Sequence, residues 1–186
     1  MALFSERSTT LFRLVLALIA VAAIGTPALL MAYQRTPIGT DRTIPLQQPV
    51  EFDHRHHVKD DGIDCLYCHY EAERSPHAGI PPAALCMGCH GQIWSNSTLL
   101  EPVRRSFYDG APIAWRRVYD LPDFVFFDHS AHVGNGVACQ SCHGNVESMG
   151  RVFRTEPLTM SWCLDCHRDP QIEGVAPPLH CSGCHR

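Results

Sequence analysis

All ten cysteines of this 186-residue chain stand in Cys-x-x-Cys pairs, and each pair is followed at once by histidine. The five runs are Cys65, Cys68, His69; Cys86, Cys89, His90; Cys139, Cys142, His143; Cys163, Cys166, His167; and Cys181, Cys184, His185. Two thiols three residues apart can add across the two vinyl groups of one haem, and the next histidine is then placed to ligate its iron. A single run could be a zinc half-site or a redox dithiol. Zinc sites need no histidine after every pair, however, and a disulfide framework would not hold every cysteine in one frame. Five runs from five predict five haem c groups, with no thiol left for a disulfide or a nucleophile.

An iron held only by its motif histidine is five-coordinate, so sixth ligands are needed. Twelve histidines leave seven outside the motifs. His54 and His57 are three residues apart, as are His129 and His132, and on one helical turn both imidazoles of a pair share a face. One short turn could thus serve two haems. Four such ligands leave one haem short. The remaining candidates are His56, His77, His180, Met149 and Met160. Of these Met149 is preferred, because 14 residues before Cys163 leave room for a loop to return over a haem face. His77 sits in a Pro-rich turn, and His56 falls on the outer side of its own turn.

The elements that position these groups begin with a span. From Leu14 to Gln34 there is no charged residue, and a helix of that length crosses a bilayer core. Arg7 and Arg13 precede it, which keeps the N-terminus in the cytoplasm and exports the rest to the periplasmic face of a bacterial plasma membrane. The run is longer than a signal-peptide core and lacks small residues where cleavage would fall. Residues 1–35 are therefore expected to be an uncleaved anchor, residues 36–50 a stiff extended linker, and residues 51–186 the haem domain.

That domain repeats. Phe52-Asp53-His54-Arg55-His56-His57-Val58 matches Phe127-Asp128-His129-Ser130-Ala131-His132-Val133 at an offset of 75, and Gly62-Ile63-Asp64-Cys65 matches Gly136-Val137-Ala138-Cys139 at 74. A duplicated two-haem unit with a fifth haem added at the C-terminus accounts for this. Fourteen Pro and thirteen Gly break the chain too often for long helices, so the expected fold is a multihaem cytochrome c: mostly coil, with short helices packed on haems. The haem-free stretch between His90 and Cys139 carries Trp94, Trp115, Arg104-Arg105 and Arg116-Arg117, which suits a partner-binding surface or haem propionates. The net charge of −4 and scattered arginines give no case for nucleic acid.

The Phe-x-His-x-x-His turns ahead of Cys-x-x-Cys-His resemble cytochromes of the c3 and c7 type. That resemblance implies that His54 ligates the haem of His69 and His129 that of His143, with His57 and His132 reaching other haems. Over nearly its whole length the chain further resembles the pentahaem subunit of alternative complex III, a bacterial quinol-oxidising respiratory complex. The motifs concerned are Gln-Pro-Val-Glu-Phe-Asp-His-Arg-His-His, Ala-Gly-Ile-Pro-Pro before Cys-Met-Gly-Cys-His, Trp-Arg-Arg-Val-Tyr-Asp-Leu-Pro-Asp-Phe-Val and Leu-Thr-Met-Ser-Trp-Cys-Leu-Asp-Cys-His-Arg. It implies an electron-transfer subunit with no catalysis of its own. Its partners would be an iron–sulfur subunit, integral membrane quinol-binding subunits and a monohaem cytochrome c as outlet. Two rivals differ in class. A membrane quinol dehydrogenase feeding a periplasmic reductase would need a quinol site near the span, and residues 36–50 show no acid–base pair. A multihaem reductase would need an open iron, and spare histidines argue against one.

Overall fold

The computed structural model describes residues 6–170, 172 and 174–186, and the chain divides into two units, residues 1–42 and 43–186. The first is dominated by α1 (Glu6–Tyr33), a 28-residue helix with Pro27 inside it and a mean hydropathy of 2.5 over its most apolar window. At 1.5 Å per residue it is long and apolar enough to cross a bilayer. Residues 36–42 are not extended. Thr36 caps the turn through its hydroxyl, which bonds the carbonyl of Tyr33 and receives the amide of Gly39, and the amide of Thr40 returns to the carbonyl of Thr36.

The second unit has short helices joined by turns: α2 (Cys65–Cys68), α3 (Ala83–His90), α4 (Glu101–Asp109), α5 (His129–Val133), α6 (Gln140–His143) and α7 (Met160–Arg168). None exceeds nine residues, as the Gly and Pro content requires. No strand forms among the described residues beyond isolated pairings such as Val125 with His185. This agrees with the expected coil-rich fold carrying short helices.

The helix starts follow local chemistry. Asp64 accepts the amide of Leu66, Asp128 those of Ser130 and Ala131, and Thr159 that of Trp162, each satisfying N–H groups a helix end leaves unpaired. The change of repeat offset from 75 to 74 has a structural cause. The second copy forms an ordinary α-turn, His129–Val133, whereas the first forms a π-turn, Arg55–Asp60, in which the Asp61 amide bonds back to the His56 carbonyl. A π-turn accommodates the one extra residue without moving the flanking side chains. The amides of Ile63 and Val137 accordingly make the same 3.0 Å bond, to the carbonyls of His57 and His132.

One hydrophobic cluster is protein-only. Val50, Met87, Leu100 and Val103 are buried together, with Ala83, Cys86, Ile113 and Trp115 packed against them. The haem-free segment therefore builds a seat for α3, the helix carrying the second motif. Gln48 joins the same body by pairing its side-chain amide with the backbone carbonyl and amide of Arg116. Residues 43–50 thus belong to the haem-bearing unit rather than to a linker.

Candidate haem-binding site

Each motif occupies one helical turn. The histidine amide bonds the carbonyl of the first cysteine at 2.9 Å in the motifs ending at His69, His143 and His185, and the other two lie inside α3 and α7. Cysteines at i and i+3 and histidine at i+4 then share one face, which is the disposition thioether attachment and ligation together require. No two of the ten cysteines are joined in a disulfide, so each motif keeps both of its sulfurs for a cofactor.

The imidazoles show how the fold has prepared them. Nδ1 lies on a backbone carbonyl in seven of the nine histidines read as ligands. His57 bonds Asp53 (2.9 Å), His69 Gly79 (2.8 Å), His90 Ile93 (3.0 Å), His129 Pro76 (2.8 Å), His132 Asp128 (2.7 Å), His167 Pro178 (2.9 Å) and His185 Phe124 (3.3 Å). A carbonyl can only accept, so Nδ1 must carry the proton and the lone pair sits on Nε2, the nitrogen free for a metal. The other two differ. His54 has a buried Nδ1 without a protein partner, and His143 packs edge-on against the Tyr119 ring at 4.3 Å. Tyr119 pins that region, its hydroxyl lying 3.3 Å from the carbonyls of His143 and Phe153 and from the amide of Thr155.

The rings also stand in facing pairs. His129 and His143 are 6.3 Å apart between centroids and nearly parallel at 11°; His132 and His167 are 6.1 Å apart; His57 and His90 are 6.0 Å apart. A metal–nitrogen bond of about 2 Å and a ring radius of about 1.1 Å put the centroids of two imidazoles on opposite faces of one iron roughly 6.2 Å apart. The spacing therefore fits an iron between each pair. His54 lies within electrostatic reach of His69, whose charge, after burial, is the next cause holding His54 down at about 4. Phenylalanines brace both turns identically. Phe52 lies edge-on to His54 and stacks on His57, and Phe127 does the same to His129 and His132.

The remaining candidates sit differently. His56 engages Asp60 and Asp61, and His180 turns to the hydroxyl of Ser182. His77 lies in the turn that follows Ser75, whose hydroxyl takes its amide. Met149 is 6% exposed at the end of the turn Val146–Ser148, which packs on the π-turn of residues 55–60. His185 lies elsewhere, with Phe124 and Val125, and among the described residues no second imidazole is paired with its ring. Met160 opens α7 and is 65% exposed.

Residues 125–186 match the family model of cytochrome c7 and related cytochrome c. The fold is that of a multihaem cytochrome c. The chain is also 28% identical, over 162 residues, to the multihaem cytochrome c subunit of menaquinone reductase from Nitratidesulfovibrio vulgaris, an alignment spanning 75% of this chain and 77% of that protein. The family match starts two residues before Phe127 and takes in the second repeat turn and the last three motifs. It thus covers two of the three facing ring pairs.

Sequence reasoning found the motifs and the repeat turns but missed Tyr119 and the carbonyl acceptors. No motif marks a tyrosine 24 residues from the histidine it supports, and backbone carbonyls leave no trace in residue types.

Proposed function

We propose that the chain is the haem-bearing electron-transfer subunit of a quinone-linked membrane complex of the alternative complex III type. α1 would anchor it, and residues 43–186 would lie on the periplasmic face with five haem c groups. The facing of motif and non-motif imidazoles at 6.0–6.3 Å in three pairs carries this reading, because an iron held between two imidazoles would exchange electrons and offer no site to a substrate. Each haem, when bound, supplies a one-electron iron couple. The chain's part is to fix Nε2 through the Nδ1–carbonyl bonds, to hold paired rings in place through Phe52 and Phe127, and to keep neighbouring motifs close.

The partners that go with this reading are an iron–sulfur subunit, integral membrane quinol-binding subunits and a monohaem cytochrome c. The menaquinone reductase relative supports assembly with a quinone-reacting complex. Its name describes electrons delivered to menaquinone, while the alternative complex III type takes them from quinol. Imidazole pairs work equally in both directions, so the decision belongs to the partners.

The test is to purify the complex from membranes through a C-terminal tag, identify its subunits by mass spectrometry, and add a reduced quinol analogue. Co-purifying iron–sulfur and multispan subunits, with haem reduction by quinol, are expected. A chain that isolates alone and is reduced directly by quinol would instead be a quinol dehydrogenase, and the proposal would fail. Haems that only a reduced cytochrome fills, in a complex that then reduces menaquinone, would reverse the direction.

A further inference from the structure

We propose that the five motif histidines, and so the haems they would hold, run through space in the order His90, His69, His143, His167, His185. The second motif in sequence is then one terminal of the electron path, and the fifth is the other. This rests on the haem reading above and adds to it an arrangement that motif order along the chain does not contain.

Four adjacencies fix the order. His57 faces His90 at 6.0 Å, and its carbonyl takes the amide of Ile63, two residues before Cys65, so the first and second motifs are neighbours. His129 and His132 share the equivalent turn and face His143 and His167, which joins the third motif to the fourth. The two copies meet through the segment that continues from His69. The Ala72 amide bonds the His69 carbonyl, and Ser75 bonds Glu71. The amides of Ser130 and His129 then bond the carbonyls of Ser75 and Pro76, and the His129 ring bonds Pro76 as well. That places the first motif beside the third. The fifth motif reaches the fourth through Pro178. Its carbonyl holds the His167 ring at 2.9 Å, and its side chain lies where a Cβ on Gly183 would come within 2.7 Å.

The terminals have a consequence for docking. His69, His143 and His167 each have neighbouring motifs on two sides, while His90 and His185 have one. Each end is fastened to protein outside the two repeat turns. His90 rides on α3, seated by the segment that carries Trp94, and His185 is fastened to Phe124 and to Val125, with the Arg186 guanidinium 4.2 Å over the Phe126 ring. Donor and acceptor proteins should therefore approach at these two places, far apart along the path.

The experiment is to locate the irons in the haem-loaded complex by cryo-electron microscopy, assigning each to its motif through the thioether links. The iron of His69 should have those of His90 and His143 as its two nearest neighbours. The iron of His167 should have those of His143 and His185. A His90 iron nearer to that of His143 or His167 than to that of His69 would overturn the order, as would a His185 iron whose nearest neighbour is not that of His167. Fewer than five irons on the chain would instead sink the haem reading beneath it. Intact mass separates that outcome from a wrong order.

Discussion

Seven of the nine histidines read as ligands rest Nδ1 on a backbone carbonyl, whereas His56 meets carboxylates and His180 a hydroxyl, and substitution should expose this. His129→Ala should convert one low-spin haem to high-spin while all five stay attached, because His129 faces His143 in near-parallel register and thioether links do not depend on the sixth ligand. His56→Ala should leave the spin state unchanged, since that ring is engaged by Asp60 and Asp61. Electron paramagnetic resonance of both variants checks the pair, and a high-spin signal from the second would put His56 among the ligands. Acid should act on the same set. Burial is the largest cause holding His54 and His143 down at about 4 from 6.5. Between those values the unfolded chain takes up protons that the folded chain does not. Stability is therefore fully present above pH 6.5 and is lost progressively as pH falls to 4, and ligation adds to the loss with the same sign because metal and proton compete for Nε2. Denaturant midpoints should be lower at pH 5 than at pH 7; an unchanged midpoint would mean these rings are not buried neutral.

At the scale of elements, much of the haem-bearing design was legible in the residues. Cysteine spacing located the motif turns, and the offset of 75 located the turns opposite them. What the residues hid were arrangements with no periodic signature. Val50, Met87, Leu100 and Val103 come from three separated segments, and Met87 reads simply as a variable position inside a motif. Met149 was reachable on chain length alone, but chain length cannot show that its turn packs on residues 55–60. The shift from 75 to 74 was visible, yet its meaning, a π-turn, depends on backbone hydrogen bonds. Tyr119 shows the energetic weight of what was hidden. Its hydroxyl meets three backbone groups spread over His143, Phe153 and Thr155, and Tyr119→Phe removes the one hydrogen the two carbonyls share and an acceptor for the Thr155 amide, at about 1–3 kcal/mol. Val103→Ala, at 3% exposure, should cost about 2 kcal/mol by removing buried methyls from the seat of α3. Thermal denaturation measures both, and a shift below a degree in either would deny the element its structural role.

The whole molecule is a span followed by a unit whose interior the polypeptide cannot fill by itself. The described chain holds only six buried apolar side chains, a small core for this length, so cofactors must complete the packing. Loss of haem attachment should accordingly unfold residues 43–186 instead of leaving an empty scaffold. The boundary between the two units yields the sharpest test. A linker ending at residue 50 would let the haem unit be cut anywhere before it. The structure instead ties Thr43 to the Arg154 carbonyl, Gln48 to Arg116, Val50 into the Met87 cluster, and Glu51 to Arg151 at 2.8 Å. Removing residues 1–42 should therefore release a haem-loaded unit with near full-length thermal stability. Removing residues 1–50 should also release it from membranes but lower its melting temperature by several degrees, because Val50 burial alone contributes about 1.5–3 kcal/mol. Exporting both truncations behind a cleavable leader, then comparing pelleting and melting, separates the claims. A truncated protein that still pellets would show that α1 is not what holds the chain to the membrane. Equal melting temperatures for the two would show that residues 43–50 are the linker their composition suggested.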